Sequence, residues 1–283
     1  MSRHDPDRAR PDRAYDETPV PDSARLTRAG AGAIDRDALV ECGIPGHVLM
    51  EHAGRSVTER LLAEAWPTGA GTPRRRRAWI ACGGGNNGGD GFVVARGLRD
   101  AGVDVVAFAV VPTCRTRGDA LLARGIAARS GVEIVALASE SDRAAVRALA
   151  EREPPDVWVD ALLGTGFRAT GTAEGRAGDL RREYAGAIEL VNATASAHGA
   201  SVWAVDLPSG LDADTGARAT PTVIASVTAT FVARKVGFDA ADAAEVLGRV
   251  LVLPIGAPAR VVARHVTRAG LDRGDAATSL TRG

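Results

Sequence analysis

The sequence predicts an α/β protein built on a mostly parallel sheet with helices on both faces. Three observations predict it. Short apolar runs alternate with helix-period segments from residue 78 onward. Those runs are mostly apolar, as strands of a sheet covered on both faces are. The composition, 45% apolar with only 4% aromatic and 33 glycines, suits helices packed on a sheet through small side chains.

The elements follow in order. Residues 1–28 are rich in Arg, Asp and Pro without periodicity and read as a disordered leader. Five acidic residues in the first seventeen argue against a mitochondrial transit peptide. From Ala33 to Trp66 apolar residues recur at helical spacing, and Gly43-Ile44-Pro45-Gly46 divides the stretch into two helices. Residues 67–77, PTGAGTPRRRR, read as a solvated loop in preference to a nucleic-acid patch. Strands are expected at 78–82, 103–111, 132–136, 157–160, 201–206, 225–231 and 250–253. Helices are expected to about Ala101, over 118–130, to Ala150 and over about 174–197. The segment 264–283 reads as a flexible tail, leaving one domain over 29–263.

Charge and composition exclude several classes. Thirty-five cations balance thirty-five anions, so no excess charge is available for bulk nucleic-acid binding. Of those cations only Lys235 is a lysine. No apolar run approaches the ~18 residues of a membrane span. Cys42, Cys82 and Cys114 are too scattered for a disulfide framework or a zinc site. A cytoplasmic protein is the default expectation.

In a parallel sheet, ligands bind beyond the carboxyl ends of the strands, so the strand-end segments carry the chemistry. The first runs Gly83-Gly84-Gly85-Asn86-Asn87-Gly88-Gly89-Asp90-Gly91. Its glycines permit a tight turn, and the helix behind it would offer amides to an anion. It lacks the spacing of the dinucleotide fingerprint, and no Gly-Lys-Ser/Thr follows. The plainer alternative is a glycine-rich turn with an aspartate cap. The second is Asp160-Ala161-Leu162-Leu163-Gly164-Thr165-Gly166, a carboxylate at a strand tip beside another turn. The third is Asp206-Leu207-Pro208-Ser209-Gly210-Leu211-Asp212-Ala213-Asp214. Its oxygens could hold a hard cation or act as a general base. Asp212 and Asp214 read there as turn residues.

Together these segments resemble the NAD(P)H-hydrate epimerase family, the YjeF N-terminal domain. The resemblance begins at Ala33-Ile34-Asp35 and Leu49-Met50-Glu51-His52-Ala53-Gly54. It then runs through the three strand-end segments to Thr228-Ala229-Thr230-Phe231 and Lys235, covering about Thr27 to Val262. Its Asn-Asn-Gly-Gly-Asp-Gly and Asp-x-Pro-Ser-Gly elements are specific as a pair. His52 departs from the family's usual asparagine and reads as a packing position.

The resemblance implies a three-layer Rossmann-like fold and an isomerase that epimerises hydrated NADH and NADPH (NAD(P)HX). The S form would then be repaired by a separate dehydratase. It implies that Asn86, Asn87, Gly88, Gly89 and Asp90, with Gly164, Thr165, Gly166, Phe167, Arg168, Ala169 and Thr170, line the dinucleotide site. Asp206 would contact the hydrated nicotinamide, and Asn87, Asp160 and Ser209 would ligate one potassium ion (K+) per subunit. These are hard oxygen donors.

Asp206 is the candidate catalytic acid/base and Lys235 the second catalytic candidate, equally readable as a surface cation. Loss of the hydroxyl through an iminium and ring opening through an aldehyde both fit the residues. The alternatives in other classes are a non-catalytic scaffold on the same fold and an ordinary dehydrogenase. Both are disfavoured, the first because Asp160 and Asp206 are present, the second because the glycine fingerprint is absent. The two N-terminal helices are where a homodimer could form.

Overall fold

The computed structural model describes residues 22–66, 75–169 and 180–268. Its strands in chain order are β1 (Ala24–Leu26), β2 (Arg77–Cys82), β3 (Asp104–Ala109), β4 (Glu133–Ala136), β5 (Val157–Ala161), β6 (Ser201–Val205), β7 (Val227–Phe231), β8 (Arg234–Lys235), β9 (Arg249–Leu253) and β10 (Val266–Arg268). The helices are α1 (Arg28–Cys42), α2 (Gly46–Ala65), α3 (Asn86–Asp100), α4 (Gly118–Arg129), α5 (Glu140–Arg152), α6 (Arg182–His198), α7 (Ala241–Leu247) and α8 (Ala259–Ala263).

Seven strands form the main sheet in the order β4-β3-β2-β5-β6-β7-β9, with every neighbouring pair parallel. Winding starts at β2, runs outward through β3 and β4, then returns to the other side at β5. The β2/β5 boundary is therefore the topological switch point, where a crevice opens beyond the strand ends.

Strand periodicity sorts the side chains between two layers. Ala78, Ile80 and Cys82 of β2 and Val157, Val159 and Ala161 of β5 face a core shared with α1–α4. The intervening Trp79, Ala81 and Trp158 face α5 and α6. On that second face Trp79 and Trp158 meet edge to face with centroids 5.2 Å apart, and Phe108 lies 5.5 Å from Trp158. The Trp158 indole donates to Thr194 Oγ1 at 3.0 Å, so its one polar atom is satisfied. The break between α1 and α2 falls at Gly43, whose φ of 67° closes α1 in the left-handed region. Thr27 caps the same helix at its start, accepting from Gly30 N at 3.0 Å.

All seven main-sheet strands fall where the apolar runs predict them, each within two residues at either end. The termini differ from expectation. Residues 22–28 are not leader: β1 pairs parallel with β8 and antiparallel with β10, and Arg28 begins α1. Likewise β10 lies inside the expected tail. Strands of two or three residues carry no readable period and gain their partners only through tertiary folding. The expected 174–197 helix is seen from Arg182; residues 170–179 lie outside the described residues. Of the arginine run, Arg77 enters β2 and is fixed by Asp104 at 3.0 Å and Glu153 at 2.9 Å. Among the described residues no helix is long and apolar enough to cross a membrane.

Candidate active site

A cleft of about 560 Å³ opens at the switch point. Its floor is the strand ends of β2, β5, β6 and β7, and α1 and α2 close one side. Of the residues expected to bind substrate, Asn86, Asn87, Asp90, Gly164, Thr165, Gly166, Phe167 and Asp206 line it, together with Lys235.

The turn after β2 needs its glycines for close approach. A Cβ on Gly88 would collide with the carbonyl of Gly83, and one on Gly83 with the carbonyl of Leu162. This packing drives the start of α3 against the β5 loop and brings Asn87 beside Leu163. The Asn87 amide donates to Leu163 O at 3.0 Å. Its other atom, Oδ1, is a buried acceptor without a hydrogen-bond partner among the described residues. Gly88 and Gly89 are buried in the helix packing and do not reach the cleft wall.

Asp160, next to last in β5, is fully buried. It accepts from Ser209 N at 2.7 Å and Ser209 Oγ at 2.6 Å, and from Leu162 N at 3.2 Å. Burial pushes its carboxyl up to about 6, against the lowering effect of these hydrogen bonds. Ser209 Oγ in turn accepts from Leu163 N at 2.8 Å. Asn87 and Ser209 thus meet at Leu163, and Ser209 ties Asp160 to them.

Asp206, just past β6, sits at φ 66°, and Val232, just past β7, at φ 68°. Aspartate tolerates the left-handed region; a β-branched valine there is strained, and such strain gathers at functional sites. The turn at Asp206 puts its Oδ1 2.6 Å from Lys235 Nζ. Lys235 is only 1% exposed and also donates to Thr230 Oγ1 at 2.9 Å and Phe231 O at 3.2 Å. A lysine buried this deeply is rare unless paired, so the alternative of a surface cation does not describe it.

Asp90 faces the same cleft. Burial, and after it the charges of Asp206 and Asp35, raise its carboxyl well above the ordinary range. Asp35, on the cleft rim, is raised by loss of hydration and by Asp206 and Asp119.

The family described as YjeF-related protein N-terminus matches residues 46–237. The chain belongs to that family. Its relatives include a protein named NAD(P)H-hydrate epimerase from Rhodopirellula baltica, 37% identical over 80% of this chain and 81% of its own length. One of the same name from Pirellula staleyi is 40% identical over 80% of this chain and 89% of its own. A third, named bifunctional NAD(P)H-hydrate repair enzyme Nnr, from Moorella thermoacetica, is 39% identical over 86% of this chain; the match spans 42% of that longer protein. The fold is shared with the crystal structure of the yeast protein ynu0, with a TM-score of 0.64 and 21% identity over 81% of this chain and 87% of that one.

Within this YjeF N-terminal fold, two residues near the cleft escaped the sequence reading. Arg28, counted as leader, lines the cleft wall. Asp212 is a turn residue, its Oδ1 accepting from Asp214 N at 3.0 Å and Thr215 N at 3.1 Å, but its Oδ2 also accepts from Ala169 N at 3.1 Å. Burial raises the Asp212 carboxyl, yet these amides and Arg28 together bring it below the usual range. Only the turn was legible, because the partners of Oδ2 lie 43 and 184 positions away. Arg168 and Ala169 do not reach the cleft wall, and Thr170 lies outside the described residues. The ring of His52 packs over Gly256, where a Cβ would lie 3.0 Å from its Cδ2, as a packing position requires. Among the described residues no three His, Cys, Asp or Glu side chains gather as a metal cluster.

Proposed function

We propose that this chain is an NAD(P)H-hydrate epimerase, interconverting the R and S forms of hydrated NADH and NADPH. The names of the relatives support the reading, and one observation in the structure carries it: the buried Lys235–Asp206 pair at the cleft floor. A module that merely bound nucleotide would gain nothing from keeping two opposite charges dry, which is costly to stability.

The reacting carbon of the substrate is a hemiaminal, bearing a hydroxyl beside the ring nitrogen. Asp206 lines the cleft beside Lys235, where a substrate hydroxyl would meet its carboxyl. The proton comes from the pair: it passes from the Lys235 ammonium through the Asp206 carboxyl to the hydroxyl, the C–O bond breaks, water leaves and the nitrogen lone pair forms the iminium. Water then adds to the opposite face and returns its proton through Asp206 to Lys235. Lys235 orients the carboxylate by its 2.6 Å contact. Ring opening to an aldehyde would run the transfer in the other direction at the same carboxylate. Asp206 takes the hydroxyl proton, C=O forms as the C–N bond breaks, and the ring nitrogen receives the proton. Reclosure on the other face of the carbonyl reverses these transfers.

Asn87, Asp160 and Ser209 fit a potassium ion. All three supply oxygen atoms, and the partnerless, buried Asn87 Oδ1 is a donor that a cation would satisfy. Bound there, K+ would offset the carboxylates that line the cleft and ease entry of an anionic dinucleotide. A separate dehydratase would consume the S form, and the three free cysteines suit a reducing, cytoplasmic compartment.

The test mixes the protein with hydrated NADH enriched in the R form and a dehydratase that accepts only S. Clearance of R faster than its spontaneous rate is expected; no acceleration in potassium buffer would reject the reading.

A further inference from the structure

Beyond the matched residues 46–237, the N-terminal segment β1 and the start of α1 touch two sides of the cleft. On one side β1 runs parallel to β8, with Leu26 opposite Lys235. On the other, the Arg28 guanidinium donates to Thr165 O, to Phe167 O at 2.5 Å and to Asp212 Oδ2 at 3.3 Å. The Arg28 backbone N–H donates to Asp214 Oδ1 at 2.7 Å. Asp212 Oδ2 also receives Ala169 N, so strap and loop meet at one carboxylate.

We propose that Arg28 is a positioning residue for substrate binding, gripping the 164–169 loop so that the Gly166 amide faces the diphosphate of a dinucleotide. The physical basis is the trans peptide. In each peptide unit the C=O and the following N–H point in opposite directions. Arg28 takes the carbonyls of Thr165 and Phe167, so the amides of Gly166 and Arg168 point away from the guanidinium. Neither amide has a hydrogen-bond partner among the described residues. The Gly166 amide, on the cleft lining, is thereby left free to donate to an anion. The guanidinium is suited to the task because its planar fork reaches several acceptors at once, which a lysine ammonium cannot do rigidly. The strap's other end lies beside Lys235, so one short segment sets both the diphosphate side and the reacting side of the cleft.

This inference rests on the epimerase reading for its kinetic arm only. The variants are Arg28→Gln and Arg28→Lys, compared with wild type. For Arg28→Gln, KM for hydrated NADH is expected to rise about tenfold, the equivalent of one charge-assisted hydrogen bond, with kcat within twofold. Arg28→Lys keeps the charge without the fork and is expected to rescue less than half of the loss on a logarithmic scale. Hydrogen exchange supplies the arm independent of turnover: the amides of Phe167 and Ala169, which donate to Gly164 O and Asp212 Oδ2, should exchange at least tenfold faster in Arg28→Gln while β5 and β6 stay unchanged. Binding of NADH by calorimetry should weaken in parallel. A fall in melting temperature with KM, NADH affinity and exchange at wild-type values would mark a merely structural arginine and overturn the proposal. Full rescue by lysine would overturn it too. If wild type itself fails to epimerise, the functional reading falls, and exchange and NADH affinity still decide the role of Arg28.

Discussion

Asp206→Asn removes one charge from a buried pair, and its effects on chemistry and on stability can be separated. The chemical effect is loss of the proton carrier. General acid–base catalysis contributes about 10²–10⁴-fold, so kcat should fall by about that factor. The stability effect follows from Lys235. Its side chain is 1% exposed and its 2.6 Å partner would be gone, leaving Thr230 Oγ1 and Phe231 O as its acceptors. Breaking a buried pair by removing one partner costs about 3–5 kcal/mol. For a domain of this size each kcal/mol moves Tm by about 2–4 °C, so a drop of about 6–20 °C is expected. Replacing both members with neutral groups avoids the stranded charge, so Asp206→Asn/Lys235→Met should recover most of that Tm while staying inactive. The assays are thermal unfolding and epimer turnover on the same preparations. Wild-type turnover by Asp206→Asn would refute the catalytic assignment. A double variant no more stable than the single one would refute the energetic account of the pair.

Three further outcomes are expected. Because Asp90 has a folded carboxyl raised above its ordinary 3.8, the stability its proton confers is complete at acid pH and is lost as pH rises through the folded value. Asp90→Asn should therefore melt higher than wild type at pH 8, with the difference vanishing below about pH 4; equal differences at both pH values would contradict this. Exchanging potassium for choline should lower the wild-type Tm, since a cation at ten times its Kd contributes about 1.4 kcal/mol, and should leave Asn87→Ala unmoved. Trp158→Phe, which deletes the bond to Thr194 and opens a void between Phe108 and Trp79, should cost about 1–3 kcal/mol by urea unfolding with kcat unchanged.

The central sheet was legible because its inner strands, buried on both faces, write themselves as apolar runs, as Ala78–Cys82 does. The site was legible where function demands odd residues at strand ends. Asp160 and Asp206 stand out there, and Lys235 stands out as the single lysine among arginines. That scarcity pointed to a residue the structure buries at the cleft floor. The small β10-β1-β8 sheet was not legible, since its strands are two or three residues long and two of them, β1 and β10, come from opposite ends of the described chain. Arg28 was lost with it. Its neighbours share the Arg-, Asp- and Pro-rich composition of a solvated leader, and only the tertiary fold brings Thr165, Phe167 and Asp212 to its guanidinium. Composition reports whether a segment can bury itself alone; it is silent on a strap that is ordered by what it grips.

The most direct measurement of the central claim is stereochemical and needs no second enzyme. Pure R and pure S hydrated NADH are incubated separately with the protein and resolved by chromatography over time. An epimerase brings both samples to one common R:S ratio, faster than the spontaneous rate, with the sum of the two forms conserved. Consumption of one form without appearance of the other, or convergence no faster than in buffer alone, would contradict the account.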